Sequence, residues 1–344
     1  MTVTIHPFPL RHAGDAAGLA LALAVPGVAT ARRLVLLAKV PGPATLNDPS
    51  RELARMVLRA AVTAAGGDGL LARTRMILSV GCEGVGGAGG WLLADDGHQH
   101  PGTPGRLALG TARSEPIPMA DRGGVPHAQA VARAVARALD DAGLVPGQVR
   151  LVLVKSPVRP DQPDATGRSR GAAALGAGVA LGEVAADRIG AAIMNDPAVH
   201  AVRAMTMSGT ETDRAEVVVL GNRPGAGGPL LAGSGLLRDL IDVPGLRRVL
   251  SGLGAAFDDE GVLSDPASVP LVLLKAGLAA DGMLRGRRTH VFGTDLPADK
   301  HLRAAASGMV AGLLGSNEAF ITGGAEHQGP PGACVAAAII RVGA

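Results

Sequence analysis

Three apolar, strand-like stretches of this chain end in a lysine: RRLVLLAKV at Lys39, VRLVLVKSP at Lys155 and VPLVLLKAG at Lys275. The intervals, 116 and 120 residues, are nearly equal, so the chain reads as one unit used three times. A single strand-end lysine is normally a surface residue whose stem lies over apolar neighbours while the ammonium stays wet. Three in register point to a shared site, because buried lysines need a partner or a task. A second element recurs downstream in SVGCE, MSGTE and TGGAE, each with a glycine, a glutamate and a nearby hydroxyl. The hydroxyls Ser79, Ser208 and Thr322 follow their lysines by 40, 53 and 47 positions. A third is an arginine near the start of the intervening helix: Arg51, Arg170 and Arg303.

Gathering three lysines and three arginines around one axis concentrates like charge, which lowers lysine pKa values and favours an anionic ligand. A neutral lysine beside a serine hydroxyl is a way to make a nucleophile, and N–H groups bared at a glycine turn can hold the oxyanion formed on attack. The candidate catalytic groups are therefore Lys155 with Ser208, Lys39 with Ser79, and Lys275. The candidate binding groups are Arg51, Arg170 and Arg303 with Gly81, Gly209, Thr322 and Gly323 at the turns. The matching ligand is small, flat and acidic, with carbonyls repeating around a ring, as in a cyclic imide or ureide. The chemistry needs no cofactor. Glu83, Glu211 and Glu326 are expected to brace the turns, and Cys82 to be a small filler rather than a nucleophile. His327 has no second histidine at ligand spacing, so zinc is not indicated.

The elements that must carry these groups alternate between strand and helix. The first unit, 1–105, has the strand of Lys39, a helix from LNDPSRELARMV with Asp48 as N-cap and Pro49 at the first helical position, and a strand running into Ser79. The breaker-rich DDGHQHPGTPG, 95–105, reads as a linker. The second unit, 112–250, has helix HAQAVARAVARALDDAG, the Lys155 strand, helix RSRGAAALGAGVALGE and strand AEVVVLGN. The third, 255–344, has the Lys275 strand, the segment RRTHVFG, helix PADKHLRAAASGMVAGLLG, a strand in EAFITGGAEHQGPPG and a last strand CVAAAII. That alternation predicts an α/β fold.

Composition narrows the class. The 344 residues are 47% hydrophobic, carried by Ala, Val and Leu, with one Trp, four Phe and no Tyr, which leaves no stacking platform for bases. A net charge of +3 is spread along the chain and marks no nucleic-acid or membrane surface. No apolar run approaches the roughly 18 residues of a spanning helix, and no signal-like segment opens the chain. Two cysteines make no disulfide framework, so a reducing cytoplasm is expected. GVGGAG at Gly84–Gly89 matches a dinucleotide fingerprint in letters but opens no convincing helix.

Over all three units, the segments KVPGPATLNDPSRELA, LSVGCEGV, GRSRGAAALGAGVALGE, SGTETDRAEVVVLGN, GMLRGRRTHVFG and ITGGAEHQGPPGACVAAAII resemble the cyanuric acid amidohydrolase and barbiturase family of ring-opening amidohydrolases. The resemblance implies three similar α/β units about a pseudo-threefold axis, each giving a Ser–Lys dyad and an arginine to a single central active site. It also implies ring opening by serine attack, with the second dyad as nucleophile, and assembly as a tetramer. Only Ser79 keeps the family's serine; Thr322 retains a hydroxyl, and Met207 stands in the ungapped position of the second unit. Three outcomes stay open: Ser208 shifts into place, Ser79 with Lys39 takes over, or the ring is handled without the usual chemistry. That last outcome covers a different reaction on a related heterocycle and a protein that only binds the ring. The family's structural metal near the last glycine turn uses an acid just after the third lysine, where this chain has Gly277; Gln328 and the GPPG backbone remain.

Overall fold

The computed structural model describes residues 1–45, 47–98, 100 and 105–343. Its elements fall into three sets with the same order. The first holds β1 (Val3–Pro9), α1 (Ala17–Leu23), β2 (Arg33–Val40), α2 (Ser50–Ala72), β3 (Thr74–Val80) and β4 (Gly89–Asp95). The second holds β5 (Arg106–Arg113), α3 (Val125–Ala142), β6 (Val149–Pro157), α4 (Ala165–Ala180), the short α5 (Ile189–Ala192), β7 (Ala204–Gly209) and β8 (Glu216–Arg223). The third holds β9 (Leu230–Leu237), α6 (Val243–Ser251), β10 (Leu271–Ala276), a two-plus-two-residue hairpin of β11 (Met283–Leu284) and β12 (Arg287–Arg288), α7 (Ala298–Leu314), β13 (Phe320–Gly323) and β14 (Cys334–Arg341).

Each set forms one four-stranded sheet, ordered β1-β4-β2-β3, β5-β8-β6-β7 and β9-β14-β10-β13. In every sheet the lysine strand runs parallel to the strand bearing the glycine turn and antiparallel to the return strand. A parallel pair needs a crossover, and the arginine-bearing helices α2, α4 and α7 supply it. The architecture is α/β with three similar units, as the repeats predict.

Strand pairing moves two expected unit boundaries. β9 pairs antiparallel with β14 from Leu237↔Cys334 to Leu230↔Arg341, so the third sheet begins at residue 230 rather than 255. Its sequence, LLAGSGLL, carries two glycines where alternating side chains would have announced a strand. The second sheet likewise begins at Arg106, ahead of 112. Of the expected linker, Asp95 closes β4, while Gln99 and residues 101–104 lie outside the described residues. RRTHVFG contributes only Arg287–Arg288 to a strand, and EAFITGGAEHQGPPG only Phe320–Gly323. At α2 the cap is Pro49, not Asp48, and the helix starts at Ser50. Asp48 still caps from one position further out, its carboxylate accepting from Ser50 N at 2.9 Å.

Alternation along the strands sets the direction of every site residue. Val35 and Leu37 of β2, Ile77 of β3, Met205 of β7, Leu271 and Leu273 of β10 and Phe320 of β13 share one central core. Leu34, Leu36, Met76 and Leu78 face α1 and α2 in a second core, and Val272, Leu274 and Ile321 face α6 and α7 in a third. Successive strand residues point to opposite faces, so Lys39, Ser79, Met207, Lys275 and Thr322 are all in phase with the central core. The edge-to-face pair of Trp91 and Phe320, 6.3 Å between ring centres, closes that core between the first and third sheets.

Candidate active site

The three lysines are buried, at 2%, 1% and 0% exposure for Lys39, Lys155 and Lys275. The parallel register fixes what each one faces: Lys39 lies opposite Ser79, Lys275 opposite Thr322, and Lys155 opposite Met207. Lys39 Nζ is 3.1 Å from Ser79 Oγ and lies 6.0 Å from the centre of the Phe320 ring. Lys275 Nζ donates to Thr206 O at 2.7 Å, Gly323 O at 2.9 Å and Thr322 Oγ1 at 3.3 Å. Lys155 Nζ donates to Leu78 O and Ser208 O, both at 3.0 Å, and pairs with Glu211 Oε1 at 2.8 Å. Lys155 and Lys275 thus each reach across to a neighbouring unit, to the carbonyl just before the residue at the hydroxyl position.

Ser208 is not in a dyad. It lies opposite Ser156, one residue out of phase with Met207, and its hydroxyl donates to Thr166 O at 3.2 Å. A slip of one residue in a strand exchanges faces, so Ser208 cannot present Oγ to Lys155 without undoing the β6–β7 ladder. The expected Lys155–Ser208 dyad is therefore replaced by a Lys155–Glu211 ion pair. Ser156, on the same outer face, meets His127 Nε2 at 2.5 Å while His127 Nδ1 accepts from Gly123 N. Burial lowers His127 to about 3, which keeps this ring neutral.

The arginines and glutamates close a ring of their own between units. Arg170 of the second set grips Glu326 of the third through two bonds of 2.6 Å, and Arg303 of the third grips Glu83 of the first at 2.6 and 2.5 Å. Arg51 of the first set stands 3.5 Å from Glu211 of the second and donates to Ser208 O at 3.1 Å. Bidentate guanidinium–carboxylate pairs fix both partners in orientation, which holds Glu83 and Glu326 in place; Glu211 makes no such pair. The equivalent glycines are Gly81, Gly209 and Gly324. A Cβ would come within 2.8 Å of Arg303 Nε at Gly81, 2.8 Å of Lys155 Nζ at Gly209 and 2.5 Å of Arg170 Nη2 at Gly324. These turns are bare so that charged groups can pass. Gly324 is the third counterpart, next to the expected Gly323; one expectation is corrected, since Gly81 N–H is spent on Val40 O at 3.1 Å rather than held open for an oxyanion.

A cavity of about 790 Å³ opens at the centre, walled by Ser79, Met207, Ser208, Thr322, Lys155 and Lys275 with all three arginines at its rim. Gly81, Gly209 and Lys39 do not line it; Lys39 sits behind Ser79, and Gly323 and Gly324 are on the wall. Burial, then the Arg303 charge, lowers Lys39 to about 7; burial opposed by Glu211 lowers Lys155 to about 8; burial and Arg170 hold Lys275 well below its ordinary value. Burial raises the Cys82 thiol above its ordinary range, which disfavours the thiolate.

The third turn does not fit the metal that the resemblance implies. A side chain at Gly277 would start 2.0 Å from Ala333 O, and Gln328 Oε1 already accepts from Thr206 N at 2.8 Å. No group of three or more His, Cys, Asp or Glu side chains able to hold an ion occurs among the described residues.

Comparison with known proteins identifies the family. The profile of the amidohydrolase ring-opening protein family matches residues 4–341. The chain belongs to that family. A cyanuric acid amidohydrolase of Pseudonocardia dioxanivorans is 37% identical, with 95% of each chain covered, and a cyclic amide hydrolase of Azorhizobium caulinodans is 34% identical over 99% of this chain and 100% of its own. The crystal structure of a cyanuric acid hydrolase from A. caulinodans superposes with a TM-score of 0.91 at 31% identity, covering 100% of this chain and 99% of the other. No helix among the described residues is long and apolar enough to cross a membrane.

What the sequence reading missed is the pairing of Lys155 with Glu211. The signal was present: Met207 removes the hydroxyl partner, and the glutamate four residues on is the nearest acid of that turn.

Proposed function

We propose that this family member opens the ring of a small cyclic imide or ureide, cyanuric acid-like or barbiturate-like, with Ser79 as nucleophile and Lys39 as its base. The observation that carries the reading is the position of Ser79 on the cavity wall with Lys39 Nζ 3.1 Å behind it. Family membership supplies the class, hydrolysis of a C–N bond in a cyclic amide. Lys39 has one hydrogen-bond acceptor in reach among the described residues, so losing a proton orphans no carbonyl. Lys155 and Lys275 each face three acceptors, which suits an ammonium with three N–H groups.

Neutral Lys39 takes the Ser79 proton as Oγ adds to a ring carbonyl carbon. The negative charge on the former carbonyl oxygen faces a cavity rimmed by Arg51, Arg170 and Arg303, whose fixed charges favour it. The C–N bond then breaks, the Lys39 ammonium returns its proton to the departing ring nitrogen, and water, deprotonated by the same amine, releases the acyl group from Ser79.

Ring absorbance and mass spectrometry test this directly, on cyanuric acid, barbituric acid and simple cyclic imides. Ser79→Ala should lose turnover by at least about 10³-fold while still binding the ring. Retained turnover in that variant sinks the assignment. The missing second hydroxyl favours one other reading, a protein that only holds the ring; calorimetric binding by the native chain without product would establish it instead.

A further inference from the structure

The three faces of the cavity are not chemically equal. In-phase strand positions put Ser79 on one face and Thr322 on another, each beside a lysine nitrogen, at 3.1 and 3.3 Å. On the remaining face the same position is Met207, 3% exposed and part of the cavity wall. Its lysine is no substitute donor. Lys155 donates to Leu78 O and Ser208 O and its charge is paired with the Glu211 carboxylate 2.8 Å away, so the ammonium is committed to protein groups. Ser208 lines the cavity too, but its proton goes to Thr166 O. What the second unit shows a ligand at this position is therefore a thioether and methyl, a soft apolar surface with a weak sulfur acceptor.

A ring carbonyl or N–H turned toward that surface gives up water without gaining a partner, and an unsatisfied polar group is penalised more heavily than a satisfied one is rewarded. A ring CH2 or C–H loses nothing there. We infer that Met207 is a specificity-determining residue that selects a ring with one carbon edge, its other two edges carrying the imide or ureide groups that face Ser79 and Thr322. The inference rests on the cyclic-amide reading above for the class of ligand. A ring with three identical polar edges is then the poorer ligand, because one of them always meets the methionine.

Barbituric acid is the matched probe, being cyanuric acid with one ring N–H replaced by CH2; dihydrouracil extends the carbon edge to two atoms. Binding is measured by calorimetry on Ser79→Ala, so that no ring is consumed, and on the same protein carrying Met207→Ser. Ligand acidity cancels, since the same compounds are compared on both proteins. The expected result is at least tenfold tighter binding of the carbon-edged rings than of cyanuric acid, falling at least tenfold when Met207 becomes serine. Met207→Gln, similar in size but polar, gives the same reading if the serine variant does not fold. Equal or tighter binding of cyanuric acid by the Met207 protein, or a ratio unmoved by either substitution, overturns the inference. The carbon-edge preference without turnover by the native chain overturns the hydrolytic reading alone. Turnover with cyanuric acid preferred overturns the edge inference alone, and failure to bind any of the three rings overturns both.

Discussion

Lys155 Nζ lies 2.8 Å from Glu211 Oε1, and both side chains are 1% exposed. In the other two units the corresponding glutamate is gripped by an arginine through two bonds, and the lysine turns to a hydroxyl instead. The second unit has exchanged a dyad for an ion pair, and the exchange follows from one residue. Met207 opposite it in the β6–β7 ladder offers a buried Lys155 no polar partner, and Glu216 opposite it in the β6–β8 ladder is paired with Arg55 and Arg113; a charge in that position is tolerated only when paired.

Glu211→Gln therefore leaves the Lys155 ammonium uncompensated in the core. Removing one partner of a buried pair costs on the order of 3 kcal/mol, against almost nothing for an exposed one. Urea unfolding should show that loss for Glu211→Gln, and Glu211→Gln with Lys155→Met should recover much of it. Equal stability of Glu211→Gln and the native chain would show that the pair does not carry the charge balance of this turn.

Turnover should follow the protonation of Lys39. Its pKa, lowered to about 7 by burial, places the neutral amine in the majority just above neutrality. Only that form accepts the Ser79 proton, so kcat rises with pH through about 7. Lys39→Arg, which cannot lose its proton at these pH values, should cost about 10² or more in kcat. A kcat that falls as pH rises from 6 to 8 would remove Lys39 from the role of base.

Much of this site was legible in the chain because lysine, arginine and glutamate repeat at similar intervals, and three coincidences in register outweigh the ordinary surface reading of each. The direction of a side chain was harder to see. Ser208 is one letter from Met207, but on a strand one letter is the opposite face, and only the observed pairing of Ser156 with Ser208 decides it. The role of the glycines was equally hidden. Gly81, Gly209 and Gly324 look like turn residues in sequence, whereas their shared property is a neighbouring charged group lying where a Cβ would be. β9 escaped because Gly233 and Gly235 blank out the alternation by which a strand is read.

Burying lysines also ties stability to pH. Lys39 and Lys155 release their protons at about 7 and about 8 when folded, against an ordinary 10.5 when unfolded. From pH 7 upward the unfolded chain therefore binds more protons than the folded one, and stability increases with pH. Above about 9 the buried thiol of Cys334, raised to about 11, works in the opposite sense. Denaturation midpoints should climb between pH 7 and 9, and Lys39→Met should flatten that climb while raising the midpoint at pH 7. A midpoint that declines over this interval would mean that the amines stay charged in the folded chain.

The crossing of charges between units makes Gly324 a sensitive turn. Its φ of +77° lies where a side chain is strained, and a Cβ would come within 2.5 Å of Arg170 Nη2 and 2.7 Å of Arg170 Cζ. Alanine there meets two costs at once: the left-handed backbone, about 1 kcal/mol or more, and displacement of the guanidinium from Glu326. Because Arg170 also reaches the cavity rim, the damage spreads to the ligand. Gly324→Ala should destabilise by about 2 kcal/mol and weaken ring binding, whereas Gly308→Ala, in the interior of α7 with open space around it, should be neutral or stabilising. Thermal unfolding and calorimetry on the two variants separate the effects. If Gly324→Ala lowers stability but binds the ring as tightly as the native chain, Arg170 serves only to join the second unit to the third, and ligand affinity comes from the other two arginines.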